Sequence, residues 1–441
     1  MPTTDSPKPQ RRLSLGVIFL TLFIDLVGFS IIFPLGPDLI SYYLRHDGQG
    51  GLLGSFLARS NALALVLGQN HAFAAVLFAS IVFSFYSILQ FIFAPFWGAL
   101  SDKHGRHGVL LVSVAGTALG YLLWVVSGSF WMFVLSRIVS GAFAGNLSVV
   151  TAAVADVTSR EERSKAMGLV GVAFGLGFIM GPGLGGISSG LNLLAHHPSL
   201  GRFGINPYSV PALIALALCL LNLVWVVTRF RETLPPEARA ELRETRVRNP
   251  IREILLLDNA NARRANIVAF VISTALVALE TTLTFLTAQR FGYTAKQNGY
   301  LLCFLGLVSV FTQGYLVRRL LKTIDEIPLL KGGLILSALG LCGIGFASHP
   351  WMLYVGLAVV SMGFGLVNTS TSGLISLYAG PSEQGRVLGI FRSLGSLSRA
   401  ITPLLAGVVF WAFNSQTVFV LAAVMALGAL GLSARLPKPV K

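Results

Sequence analysis

Trp97-Gly98-Ala99-Leu100-Ser101-Asp102-Lys103-His104-Gly105-Arg106-His107 packs five ionisable side chains and two glycines into eleven residues, with long apolar runs on either side. What this turn is depends on what solvent its flanks sit in. The chain has 441 residues, of which 54% are hydrophobic and 12% charged, and its mean hydropathy is +0.73. Soluble domains carry about 25% charged residues, so this sequence holds half the charge a water-facing surface needs. Several runs exceed 18 apolar residues, the length that crosses ~30 Å of hydrocarbon at about 1.5 Å per residue. Lipid offers no hydrogen bonds, so such runs must satisfy their own backbones as helices.

Twelve spans are expected, near 14–38, 72–100, 108–128, 131–155, 165–190, 208–229, 264–289, 297–317, 329–347, 351–379, 387–411 and 416–434. The first begins after Arg11 and Arg12 and is too long for a signal-peptide core, so it reads as a retained anchor. The net charge of +15 would suit nucleic acid if it were clustered on one soluble face. Instead, segments on the side of the termini hold 25 Lys and Arg, against 5 in the opposite loops. That bias places both termini in the cytoplasm and argues against a nucleic-acid partner. Cys219, Cys303 and Cys342 all lie in apolar runs, where they read as small buried hydrophobes and imply neither a disulfide framework nor a metal site.

The segment 231–263, flanked by Arg229 and Arg264, divides the spans six and six. Its alternation Glu237-Ala-Arg239-Ala-Glu241-Leu-Arg243-Glu244 suits a solvated surface helix. The expected organisation is a tail at 1–13, a six-helix bundle over 14–230, the loop 231–263, a second bundle over 264–434 and a tail at 435–441. A repeat supports the division: Gly168, Pro182 and Gly186 are spaced as Gly389, Pro403 and Gly407 are, fourteen and then four residues apart. Related halves with a site between them are a common plan of secondary transporters. Residues 52–68 are too short to span and read as an amphipathic segment at the outer interface.

On these residues the chain resembles the major facilitator superfamily. Gly98-x-x-x-Asp102-Lys103-x-Gly105-Arg106 is similar to its signature loop between helices 2 and 3. Gly175-x-Gly177-x-x-x-Gly181-Pro182-x-x-Gly185-Gly186 resembles the motif of its antiporters. Asp25-x-x-Gly28 with Pro34 and Pro37, and Ala155-Asp156-x-Thr158, are similar to the tetracycline-efflux branch of the drug:proton antiporters. The resemblance implies two pseudo-symmetric six-helix bundles and transport by alternating access. It implies that Gly98, Asp102, Lys103, Gly105, Arg106, Asp156, Gly181 and Pro182 belong to a latch and its helix contacts. Asp102 is expected to face the start of span 11 near Gly385, where a helix dipole is positive, and Arg106 to reach Asp156. Pro182 removes an N–H and implies a kink or a tight helix contact.

Ionisable residues at membrane depth mark a pathway or a pair. Asp25 lies ~20 Å in from the terminal side, and Arg137, which opens a motif similar to the family's proton-coupling one, lies ~21 Å in. They are expected to pair, with Asp25 carrying the proton. A static salt bridge remains the alternative reading. Glu280 and Arg399, ~24 Å and ~20 Å in, are a second expected pair. Phe29, Asn146, Thr284, Gln313, Asn368, Arg392 and Arg399 are candidate cavity walls for an amphipathic ligand. Arg392 has snorkelling to the interface as its other reading, and the two amides have interhelical hydrogen bonding. The partners expected are a small-molecule substrate, protons and the bilayer, for a monomer in the cytoplasmic (inner) membrane. No cofactor, metal site or enzyme motif is expected. Proton-coupled efflux is the leading expectation. Uptake or facilitated release of an anionic metabolite or lipid-like molecule stands second, and a non-transporting receptor or scaffold third.

Overall fold

The computed structural model describes residues 14–66, 74–158, 160–235, 257, 259–379 and 384–438. Twelve helices in it are long and apolar enough to cross a membrane. They run Leu15–His46, Ala74–His104, Arg106–Val125, Phe130–Val157, Leu169–His196, Ser209–Arg229, Ala260–Phe291, Ala295–Leu320, Glu326–Gly345, Pro350–Tyr378, Val387–Ala412 and Ser415–Ser433, numbered here as spans 1 to 12. Each overlaps one expected run, and no strand occurs among the described residues. The helix ends follow local chemistry. Ser14 accepts from the Gly16 amide, and Asn259 from those of Asn261 and Ala262, which satisfies first-turn donors. Gly292, at φ 65°, closes span 7 in the left-handed region.

The two halves use one packing plan twice. Span 1 packs on spans 5 and 6 as span 7 packs on 11 and 12, and span 3 packs on 4 and 6 as span 9 packs on 10 and 12. The halves meet through spans 5 and 8 and through spans 2 and 11, which a pseudo-two-fold exchanges. Twelve crossings put both chain ends on one face, called here the terminal face.

Span 5 breaks at residues 189–192 before the short helix Leu193–His196, and three other interruptions break this regularity. Span 1 tightens into a 3-10 turn at Phe33–Leu35, where Pro34 sits. Span 4 opens between Ala142 and Asn146, and span 8 carries a π-turn at Thr312–Leu316. Pro182 and Pro403, by contrast, lie inside unbroken helices. Of the two consequences expected at Pro182, the tight contact is what forms. A Cβ at Gly177 would approach Leu26 Cβ to 2.7 Å, and one at Gly181 would lie 2.6 Å from the Val27 carbonyl. The glycines of span 5 thus let span 1 pack backbone to backbone.

The halves touch on the far face, and glycines nearer the terminal face meet no such contact. A Cβ on Gly186 would lie 2.8 Å from Gly299 Cα, one on Gly407 would collide with Ser80 Oγ, and one on Gly36 would meet the Phe285 ring at 3.1 Å. Nearer the terminal face, Gly171, Gly314, Gly389 and Gly395 have no neighbour within 4 Å of a built Cβ. The close contacts between the halves that these glycines record thus lie toward the far face.

Residues 51–66 form a helix outside the spans. Leu53 and Ala64 are buried, whereas Leu52, Phe56, Leu63 and Val66 are exposed. The connection after span 6 begins as an ordered part of the first half, with Phe230 and Leu234 buried. The charge alternation at 237–244 lies outside the described residues.

Candidate functional site

The quoted turn is a knot built around Arg106. Gly105, at φ 97° and ψ 156°, reverses the chain between spans 2 and 3 in a region open essentially to glycine alone. Arg106 follows it at 3% exposure. Its Nη1 donates to Ser101 Oγ at 2.7 Å and to Asp102 Oδ1, and its Nε donates to Asp156 Oδ2 at 2.9 Å. A buried guanidinium needs such a ring of acceptors, because an unpaired buried charge is strongly destabilising. Lys103 is exposed and Gly98 buried. Residues 380–383, which lead to the expected Asp102 contact at the start of span 11, lie outside the described residues.

Three further participants were not read from sequence. Glu232 accepts the Arg106 amide at 2.8 Å and the His107 amide at 3.3 Å, capping the start of span 3. Thr233 Oγ1 donates to Asp156 Oδ2 at 2.9 Å. The third, Phe230, stacks its ring on His107 at 6.5 Å and 13°. The chain leaving the first half is therefore tied into the turn.

At mid-depth the expected Asp25–Arg137 pair is corrected: no ion pair within 4.0 Å joins them. Asn146 Nδ2 donates to Asp25 Oδ1 at 2.7 Å instead. The break in span 4 before Asn146 turns that amide toward span 1. Ser113 holds the break open, donating to the Phe143 carbonyl at 2.6 Å and accepting from the Gly145 amide at 3.2 Å. Arg137 is 4% exposed and its Nε donates to Ser136 Oγ at 3.3 Å. Its guanidinium lies 4.9 Å from the Trp124 ring centre and 5.6 Å from that of Phe133, a cation–π cage. Tyr86 and Tyr121 stand within electrostatic range of both Asp25 and Arg137. Arg137 Nη2, Ser140 Oγ and Asn146 Oδ1 are buried without a protein partner.

On the far side of this cage Tyr43 stacks on Phe133 at 5.4 Å. Its hydroxyl donates to the Ser127 carbonyl at 2.7 Å, and Asn206 Nδ2 donates to the same carbonyl at 3.0 Å. Tyr43, Trp124, Phe133, Ser127 and Asn206 are each at most 1% exposed.

Phe29 joins an aromatic wall, with ring centres 5.2 Å from Phe33, 5.2 Å from Tyr86 and 6.2 Å from Phe178. In the second half Glu280 is half-buried. Arg399 is within electrostatic range of it, but no ion pair within 4.0 Å joins the two. Arg392, Arg399, Gln313 and Asn368 are exposed, and Gln313 lies in the π-turn of span 8. Thr284 is corrected as a cavity wall. It is 2% exposed, and its carbonyl accepts from Thr287 Oγ1 at 2.8 Å inside the second half.

Two repeated sets of six spanning helices with charged groups at mid-depth are the architecture of a membrane transporter. The chain belongs to the Major Facilitator Superfamily, whose family model matches residues 18–399 and 324–441. It is 32% identical over 438 residues to the mouse Major facilitator superfamily domain-containing protein 10, covering 95% of this chain and 91% of that one. To the Escherichia coli tetracycline resistance protein, class B, it is 26% identical over 397 residues, 90% and 88% of the two chains. The crystal structure of the human organic anion transporter MFSD10 (TETRAN) matches with a TM-score of 0.73 at 31% identity, over 97% of this chain and 100% of that one.

Proposed function

We propose that this transporter exports an amphipathic organic anion from the cytoplasm in exchange for protons, as a monomer in the cytoplasmic (inner) membrane with both termini inside. One observation carries the proton reading. The Asp25 carboxylate, at mid-depth on span 1, is held by a single amide 2.7 Å away, with the Arg137 guanidinium caged nearby. A carboxylate placed so takes a proton when the halves rock open to the far face, and releases it on the terminal face when a rearrangement brings the cation closer. Glu280 and Arg399 offer the second half a similar but looser pair. The Arg106 knot holds the ends of spans 2, 3 and 4 as one rigid corner, against which span 11 closes when the cavity faces outward.

The anionic preference is favoured by Arg392 and Arg399, two exposed cations on one helix with Glu280 as the acid opposite. The name of the human relative, an organic anion transporter, points the same way. Phe29 and its aromatic neighbours suit the apolar part of such a ligand.

The test is flux in proteoliposomes with an imposed pH gradient. Wild type accumulates an organic anion such as a fluorescent aromatic carboxylate against its gradient. Asp25→Asn loses that accumulation yet keeps counterflow exchange at zero gradient. Accumulation indifferent to the pH gradient in wild type overturns the proton reading. Equal transport of cationic and anionic probes overturns the anion preference.

A further inference from the structure

Asp38 lies in the last turns of span 1, past the 3-10 turn at Phe33–Leu35 and next to Pro37. Its Oδ2 accepts a hydrogen bond from the backbone amide of Ala295 at 2.7 Å. Ala295 is the first helical residue of span 8, so the bond crosses from one half to the other. The first amides of a helix have no partner inside it and carry its positive dipole end. Thr294, the residue at the cap position, is engaged locally: its amide and hydroxyl both donate to Gln297 Oε1, at 2.9 and 3.1 Å. The Ala295 amide is left for the other half, and a carboxylate supplies the charge complement. Around this bond the halves touch at Gly186 and Gly299 and at Gly36 and Phe285. Arg45 on the same helix and Tyr208 from the loop before span 6 stand within electrostatic range of Asp38, and Lys296 is exposed beside Ala295.

We propose that Asp38 is the far-face latch of this transporter, a positioning residue whose bond to the start of span 8 favours the state open to the terminal face. The bond exists only while the far ends of spans 1 and 8 are together. Opening that face gives both groups to water and loses a charge-assisted hydrogen bond. The arrangement would be the counterpart of the contact that the resemblance implies between Asp102 and the start of span 11, the two engaging in turn. Neither the proton nor the anion reading is needed for it.

The test is hydrogen–deuterium exchange of the full chain in nanodiscs, read by peptide mass. In Asp38→Ala, amides near 295–303 and 179–186 exchange about tenfold faster, the scale expected for losing a hydrogen bond to a charged group. Amides near 98–108 become slower, because the population moves to the state closed on the terminal face. Asp38→Asn, which keeps an acceptor but no charge, gives a smaller shift of the same pattern. Exchange unchanged at 295–303, or faster on both faces alike, overturns the latch, the second result marking Asp38 as a plain structural staple.

Discussion

The turn joining spans 2 and 3 and the turn joining spans 8 and 9 occupy equivalent places in the two halves, yet only one is a knot. In the first half Arg106 is 3% exposed and serves Ser101, Asp102 and Asp156 at once, while Glu232 caps the helix that follows. In the second half Gly314-Tyr-Leu-Val-Arg318-Arg319 runs through a π-turn, and both arginines are exposed. Arg319 donates to the Tyr315 hydroxyl one turn away at 3.1 Å. An ion pair on that side, Lys438 with Asp325, is 3.4 Å long with side chains 81% and 50% exposed. The second turn has the outline of the first without its burial. Charges hold structure where water is excluded and contribute little where it is not.

Substitutions rank the two turns. Arg106→Ala leaves two acids around an empty site and is expected to lower stability by about 3 kcal/mol or more, measured by thermal unfolding in detergent, with transport lost. Arg106→Lys does not restore it, because one ammonium cannot reproduce the forked contacts. Gly105→Ala forces a side chain into a glycine-only region and costs about 1–3 kcal/mol, read in the same assay. Glu232→Ala removes a helix cap and costs about 1 kcal/mol, with faster amide exchange confined to 106–108. Lys438→Ala leaves the unfolding midpoint where it was. A Lys438→Ala effect as large as that of Glu232→Ala would break the contrast between the halves.

The sequence made the twelve spans legible because hydrocarbon imposes one condition, apolar length, that a linear pattern states directly. It made the Arg106–Asp156 contact legible because Arg106 begins one helix and Asp156 closes another on the same face. The partner of Asp25 was not legible. Counting residues along a helix yields depth, but which way a side chain points depends on rotation about the axis. In span 4 that rotation is reset by the opening at residues 143–145. The same limit misplaced Thr284. Glu232 was hidden by company, since one acid among the several acids and arginines after span 6 reads as solvated until the fold brings it to the start of span 3. Asp38 sits beside Pro37 in a stretch whose visible signal was the family resemblance carried by Pro34 and Pro37.

The caged Arg137 has one more consequence. It lies at about the depth of Asp25, near the same two tyrosines, with the Tyr43, Ser127 and Asn206 cluster packed against its cage toward the far face. A hydronium ion migrating inward through the body of the first half would meet a fixed positive charge in a poorly screened interior, as in pores that reject cations. If Asp25 is the group that titrates, that repulsion insulates it from short-circuiting by the opposite compartment, and its occupancy is set by whichever side the rocking halves have exposed.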